Sequence, residues 1–302
     1  MMLERLCRTL VFVSMLVAPS AALAQATFSM WVGSREEVVA RMIALANLKP
    51  GEVVTDLGSG DGRLVIGSAL ANTRVTGFGV DIDAKLVREA SARAWVTGVH
   101  DRVQFHHQNV FDADLSKVDV IYIWLFPELM RLLRNKLMLE ARPGTRIVSQ
   151  LFDMGDWKPD ATDSGQATVS LWVVPAKIEG NWRWELALPG QKKSRFDAIL
   201  DQTFQKADGV VRVGTVRRQI REFKLNGDKF TFLMQIPLPG QIGNQELEFS
   251  GRVKGDVMEG KAKWMRPVRG DSESYTATEM PWRAVRTTTT TYFKPTGLHG
   301  AR

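Results

Sequence analysis

The chain has 302 residues, 44% hydrophobic and 24% charged, with a formal net charge of +7. Those proportions exclude an intrinsically disordered chain and leave room for two domains or one large one. The only cysteine is Cys7, which excludes a disulfide scaffold and a cysteine-based metal centre. The basic excess admits acidic partners, but the Lys and Arg residues are scattered and form no block of five or six. From the sequence, then, the charge reads as a basic soluble surface with no specific nucleic-acid site.

The first stretch reads as a secretory leader. Arg5 and Arg8 precede the short apolar run from Leu10 to Ala18, and Ala22-Leu23-Ala24 fits a cleavage site. The run is too short for a spanning helix. Residues 1–24 are therefore expected to be a signal peptide and the mature chain an exported, periplasmic protein beginning at Gln25, without a transmembrane span. The alternative is an uncleaved N-terminal membrane anchor.

Arg35 to Leu48 carries apolar residues at helical spacing, and Ser34 with Glu37 has the form of a capping box. Lys49-Pro50-Gly51 ends that helix. Val53 to Leu57 is a strand, followed by Gly58-Ser59-Gly60-Asp61-Gly62 and a helix to about Ala71. Glycines there permit positive φ and close approach of backbone to a ligand. The N–H groups of the helix start favour an electronegative ligand group. The spacing is G-x-G-x-G, not the dinucleotide G-x-G-x-x-G, which disfavours a nucleotide-dependent oxidoreductase and favours a nucleoside without a pyrophosphate.

The alternation continues with a strand from Val75 to Val80 and a helix from Lys85 to Val96. Strands follow at Val103–His107 and Val118–Trp124, then a helix at Leu129–Leu139 and strands at Thr145–Phe152 and Thr168–Val174. This predicts an α/β fold: a Rossmann-like, doubly wound, mostly parallel sheet over residues 25–176. Its ligand should lie beyond the carboxyl ends of the strands. Pro175 to Gly180 reads as a linker. Beyond it, short alternating strands and turns such as Asn226-Gly227-Asp228 and Gly255-Asp256 predict an antiparallel β barrel or sandwich over 177–286. Residues 287–302 read as a disordered tail. The second-half tryptophans are expected in the barrel core.

Asp56-Leu57-Gly58-Ser59-Gly60-Asp61-Gly62 resembles motif I of the class I S-adenosylmethionine (SAM) methyltransferases. Taken with Glu36 to Val39, Lys49-Pro50-Gly51, Trp124 to Met130 and Arg142 to Trp157, the stretch from Trp31 to Val174 is similar to a small lysine methyltransferase family. That family includes enzymes that modify ATP synthase subunit c and the adenine nucleotide carrier. The resemblance implies SAM as cofactor and admits a protein lysine as the methyl acceptor.

It also implies site residues. Gly58, Gly60 and Gly62 form the cofactor loop, and Asp56 helps hold it and faces the amino-acid part of SAM. Asp81 accepts the ribose hydroxyls, with Ile82 beside it, while Asp83 caps the next helix. Asn109 stands where the family commonly has an acidic residue for the adenine amino group; its carbonyl still accepts. Val110 or Phe111 packs on the adenine face. Trp124, Phe126 and Pro127 lie where methyl acceptors sit, an aromatic wall suited to a lysine stem or ammonium; the other reading makes Trp124 and Phe126 core. No general base is identified, and His106 and His107 point to opposite faces of a strand, a poor metal pair. An exported enzyme has no obvious SAM supply, so a non-catalytic ligand- or protein-binding module on this fold is the alternative.

Overall fold

Val53–Leu57 (β1) is an interior strand of the first sheet, and four of its five residues are buried. The computed structural model describes residues 32–237, 243–268 and 271–289, so the leader at 1–24 lies outside the described residues. Glu36–Ala46 (α1) precedes β1. Then follow Arg63–Ala71 (α2), Thr76–Asp81 (β2), Ala84–Val96 (α3), Val103–His107 (β3), Val120–Ile123 (β4), Pro127–Glu140 (α4), Arg146–Gln150 (β5), Ala161–Ser164 (β6) and Thr168–Val173 (β7). The sheet order is β3-β2-β1-β4-β5-β7-β6. β1 pairs in parallel with β2 and β4, and β7 alone runs against the sheet, antiparallel to both β5 and β6.

Each face of this sheet has its own core. Val38, Met42, Val65, Ala69 and Ala90 from α1, α2 and α3 pack on one face. Met130, Leu133 and Leu137 of α4 pack on the other with Trp157 and Trp172. The expected doubly wound sheet is therefore present.

Two local expectations need correction. Ser34 does not cap α1: the helix N-cap is Arg35, without a side-chain cap bond. The Ser34 hydroxyl donates instead to Gln150 Oε1 at 2.6 Å, tying the helix entry to the end of β5. The strand β6 was not expected because its residues, Ala161-Thr162-Asp163-Ser164, are almost all exposed and carry no apolar alternation. An ion pair between Arg41 and Asp163 holds it against α1.

The second sheet begins after six intervening residues. Gly180–Leu186 (β8), Ser194–Thr203 (β9), Lys206–Val213 (β10), Val216–Gln219 (β11), Arg221–Asn226 (β12), Lys229–Pro237 (β13), Asn244–Lys254 (β14), Val257–Val268 (β15) and Asp271–Thr288 (β16) pair antiparallel in the order β11-β10-β9-β8-β16-β15-β14-β13-β12. Only Ile220 separates β11, which pairs with β10, from β12, which pairs with β13. The two edges of the sheet are thus joined by one buried residue, and the sheet curls into a nearly closed barrel. Thr287 and Thr288, expected in a tail, belong to β16; residues 290–302 lie outside the described residues.

Aromatic rings fill the barrel. Trp184 stacks on Phe196 at 5.2 Å and meets Trp282 edge-on at 5.7 Å. Phe249 stacks on Phe232 at 4.8 Å. Trp182, Trp184, Trp264 and Trp282 are all buried, so the tryptophans are core, as expected. The barrel also docks on the first sheet. The Gln202 amide donates to Ala176 O and accepts from Ile178 N, and Phe204 stacks on Trp157 at 5.7 Å beside the Arg134 guanidinium.

Candidate functional site

At the end of β1 the chain makes its turn with three glycines in the left-handed region: Gly58 at φ 90°, Gly60 at 51° and Gly62 at 79°. The N–H groups of Gly58 and Ser59 both donate to Val80 O, at 2.9 and 3.0 Å, hooking the loop over β2. Gly60 N donates to Asp81 Oδ2 at 2.8 Å, and Asp83 N donates to Asp81 Oδ1 at 2.9 Å. Asp81 is therefore a buried anchor for the loop as well as a carboxylate at the strand end. Gly62, which has no side chain, is the N-cap of α2, and the carboxylate before it supplies the cap: Asp61 Oδ1 accepts from Arg63 N at 3.4 Å.

Sequence reasoning missed two glycines of β2. A side chain at Gly79 would put its Cβ 2.5 Å from the Ser59 Cβ, and one at Gly77 would strike Val54 O at the same distance. They let the loop and β1 approach β2 closely. The readable trace was the period-two Gly77-Phe78-Gly79 inside a strand.

Asp56 is buried, and among the described residues no side-chain hydrogen bond reaches it. Burial, then the charges of Asp81 and Asp61, push its carboxyl well above the usual carboxylate range. Its neutral form suits the buried position. The stability this gives is complete below the ordinary carboxylate pKa and is lost as pH rises toward the raised folded value. Asp56→Asn should therefore stabilise the ligand-free protein at about pH 8 and leave it little changed at about pH 3. Urea unfolding at the two pH values checks this; an equal shift at both would contradict the raised pKa.

Asp61 does not face a ligand freely. Arg63 reaches it at 2.7 and 2.8 Å and Arg93 at 2.5 Å, and these arginines hold its carboxyl below the usual range against the opposing effect of burial. Arg63 also donates to Ser34 O, so this group ties α1, the loop and α3 together.

The other expected residues fall on the same edge of the sheet. Ile82 follows Asp81 and is 53% exposed. Asp83 caps α3 by accepting from Lys85 N, as expected. Asn109 is exposed, and its Oδ1 accepts from Phe111 N, capping the 3-10 turn Val110–Asp112. The carbonyl expected for adenine thus already holds the turn, with its second lone pair left over. Val110 is buried behind it and Phe111 is 37% exposed. After β4, Trp124 and Pro127 are half-buried and Phe126 is 53% exposed, so Trp124 and Phe126 are not simply core. Leu125, between them, covers the loop: a Cβ on Gly58 would lie 2.7 Å from its Cδ2. Leu151, at the end of β5, was missed; it is exposed and held at φ 64° in a tight turn in which Phe152 N donates to Gln150 O. Nothing in a leucine announces positive φ.

Because β3, β2, β1 and β4 are neighbours, the expected residues share the carboxyl edge of the sheet, where a ligand crevice is expected at the strand-order switch between β1 and β4. The ANTKMT methyltransferase domain matches residues 56–161, from Asp56 through the start of β6. A protein-lysine N-methyltransferase of Saccharolobus islandicus is 36% identical over 129 residues, which are 43% of this chain and 80% of that protein. The chain belongs to this methyltransferase family. The mouse adenine nucleotide translocase lysine N-methyltransferase is 32% identical over 50% of this chain; the chain spans 64% of its length. A solved RNA methyltransferase of Salinibacter ruber, bound to S-adenosyl-L-homocysteine, is 40% identical over 49% of this chain and 96% of that one, with a TM-score of 0.48. The barrel lies outside the family match.

As an ANTKMT-type methyltransferase, the chain is a SAM-dependent enzyme, which decides against the oxidoreductase and binding-module readings. Its residues fit that cofactor. SAM carries a sulfonium and an ammonium, and the crevice offers the carboxyls of Asp56 and Asp81. The buried Ser59 Oγ in the loop has no partner among the described residues, an orphaned polar atom at this edge.

Proposed function

We propose that this methyltransferase modifies a lysine amine of a protein. The observation that carries the reading is the end of β4: Trp124, Leu125, Phe126 and Pro127 form an apolar, aromatic wall beside the glycine loop, with Phe126 half open to solvent. The names of the archaeal and mouse relatives support it. In this reading Gly58, Gly60 and Gly62 cradle the cofactor over the start of α2. Asp81 accepts the ribose hydroxyls and Asp56 faces the amino-acid portion. Ile82, Asn109 and Val110 border the adenine.

Bound SAM supplies a methyl on a sulfonium, open to in-line attack. Trp124 and Phe126 receive the aliphatic stem, orient the amine and exclude water. An amine must be neutral to attack, and this wall lowers its pKa by desolvation.

Incubation with methyl-labelled SAM and an envelope extract tests the acceptor. The expected product is protein that yields methyl-lysine on hydrolysis; label confined to nucleic acid or small molecules would overturn the lysine assignment. We propose also that residues 1–24 export the chain. Fractionation should then find a periplasmic protein beginning at Gln25, and an intact cytoplasmic chain would refute it.

A further inference from the structure

The basic residues that look scattered in the sequence are gathered by the barrel. Residues 33–176 hold 16 Lys and Arg against 18 Asp and Glu. Residues 181–226, which form β8 to β12, hold ten against five, whereas 227–289 hold nine against eight. The positive excess therefore sits on one wall.

That wall has a defined pattern. Arg183 stands opposite Asp197, Asp197 opposite Arg212, and Arg212 opposite Arg217, so one rung crosses four strands. Strands lie about 4.8 Å apart, and the rung spans about 14 Å. Arg183, Arg195 and Arg212 all reach the one carboxylate of Asp197, at 2.8, 3.3 and 3.4 Å. Three guanidiniums on one carboxylate leave two charges over. Arg217, Arg221 and Lys224 extend the patch along β11 and β12, all exposed, and none has an acidic partner among the described residues.

We propose that this wall is a docking surface for an anionic phospholipid membrane. Guanidinium groups meet phosphate oxygens through two parallel hydrogen bonds. Lipid headgroups move laterally and can adjust to cations fixed on a convex wall. A nucleic acid strand would favour exposed rings for stacking, and a protein partner would favour apolar anchors. Every large exposed apolar side chain among the described residues lies at or before Leu151, outside the barrel. What the wall offers is charge at regular spacing. The inference goes beyond methyl transfer and does not depend on the acceptor.

Co-sedimentation of the full chain with vesicles tests it. Binding is expected to phosphatidylcholine vesicles containing phosphatidylglycerol, to weaken with added salt, and to be absent on phosphatidylcholine alone. The combined variant Arg217→Glu, Arg221→Glu, Lys224→Glu should lower the partition coefficient on the order of a hundredfold or more. The same charge change on the other wall, Arg252→Glu, Lys254→Glu, Lys261→Glu, should lower it far less. Circular dichroism and SAM calorimetry verify folding of both. Equal losses in the two variants, no binding to anionic vesicles, or retention on duplex DNA or polyglutamate at salt that releases the vesicles would overturn the proposal.

Discussion

Asp81→Ala is expected to weaken SAM binding by about a hundredfold or more. The carboxylate is buried and holds two backbone donors, Gly60 N and Asp83 N. Alanine leaves both unpaired, frees the glycine loop from β2 and removes the acceptor proposed for the ribose. Each charge-assisted hydrogen bond contributes about 1.5–3 kcal/mol. Two such losses amount to two to four orders of magnitude at about 1.4 kcal/mol per tenfold. Calorimetry with SAM and S-adenosylhomocysteine reads the loss. Asp81→Asn keeps one acceptor oxygen and should fall between the two. An alanine variant that is folded and binds within about threefold of the parent would remove Asp81 from the site.

Gly62→Ala should lower the unfolding free energy by about 2–5 kcal/mol. The residue sits at φ 79°, where a β-carbon costs about 1–2 kcal/mol. That carbon would also lie 2.5 Å from Phe105 Cζ, 2.8 Å from Phe105 Cε1 and 3.0 Å from Ala90 Cβ. Overpacking of this kind adds about 1–3 kcal/mol. Gly98→Ala is the matched comparison: its φ is 69°, but among the described residues, its chain neighbours apart, no atom lies within 4 Å of the added carbon. It should therefore show only the backbone cost. Equal losses for the two variants in denaturant titrations would mean that the Phe105 contact relaxes freely.

The first sheet was legible because its determinants are local. β1 and β3 have the expected limits, and Asp83 caps α3 as a short polar residue before an apolar periodicity should. The glycine loop was legible for the same reason: G-x-G-x-G states its own backbone geometry. What escaped depends on partners distant in sequence. Ser34 looks like a cap, yet Gln150, far along the chain, takes its hydroxyl. Asn109 looks free for a ligand, yet the next turn uses its oxygen. The β6 strand has no apolar pattern and exists through Arg41 and its neighbour β7. The basic wall is invisible in sequence because cross-strand register, not adjacency, puts Arg212 beside Arg217.

The pairing of β16 with β8 joins Ala284 to Trp184 across almost the whole length of the barrel. Until the last strand is present, β8 and β15 each expose an unpaired edge. Contacts of such large sequence separation form late, whereas the parallel sheet is complete by Val173. On the ribosome the methyltransferase sheet therefore has its full complement of strands more than a hundred residues before the barrel can close. A chain cut short before β16 keeps the whole methyltransferase sheet in sequence but carries open β edges, which are templates for aggregation.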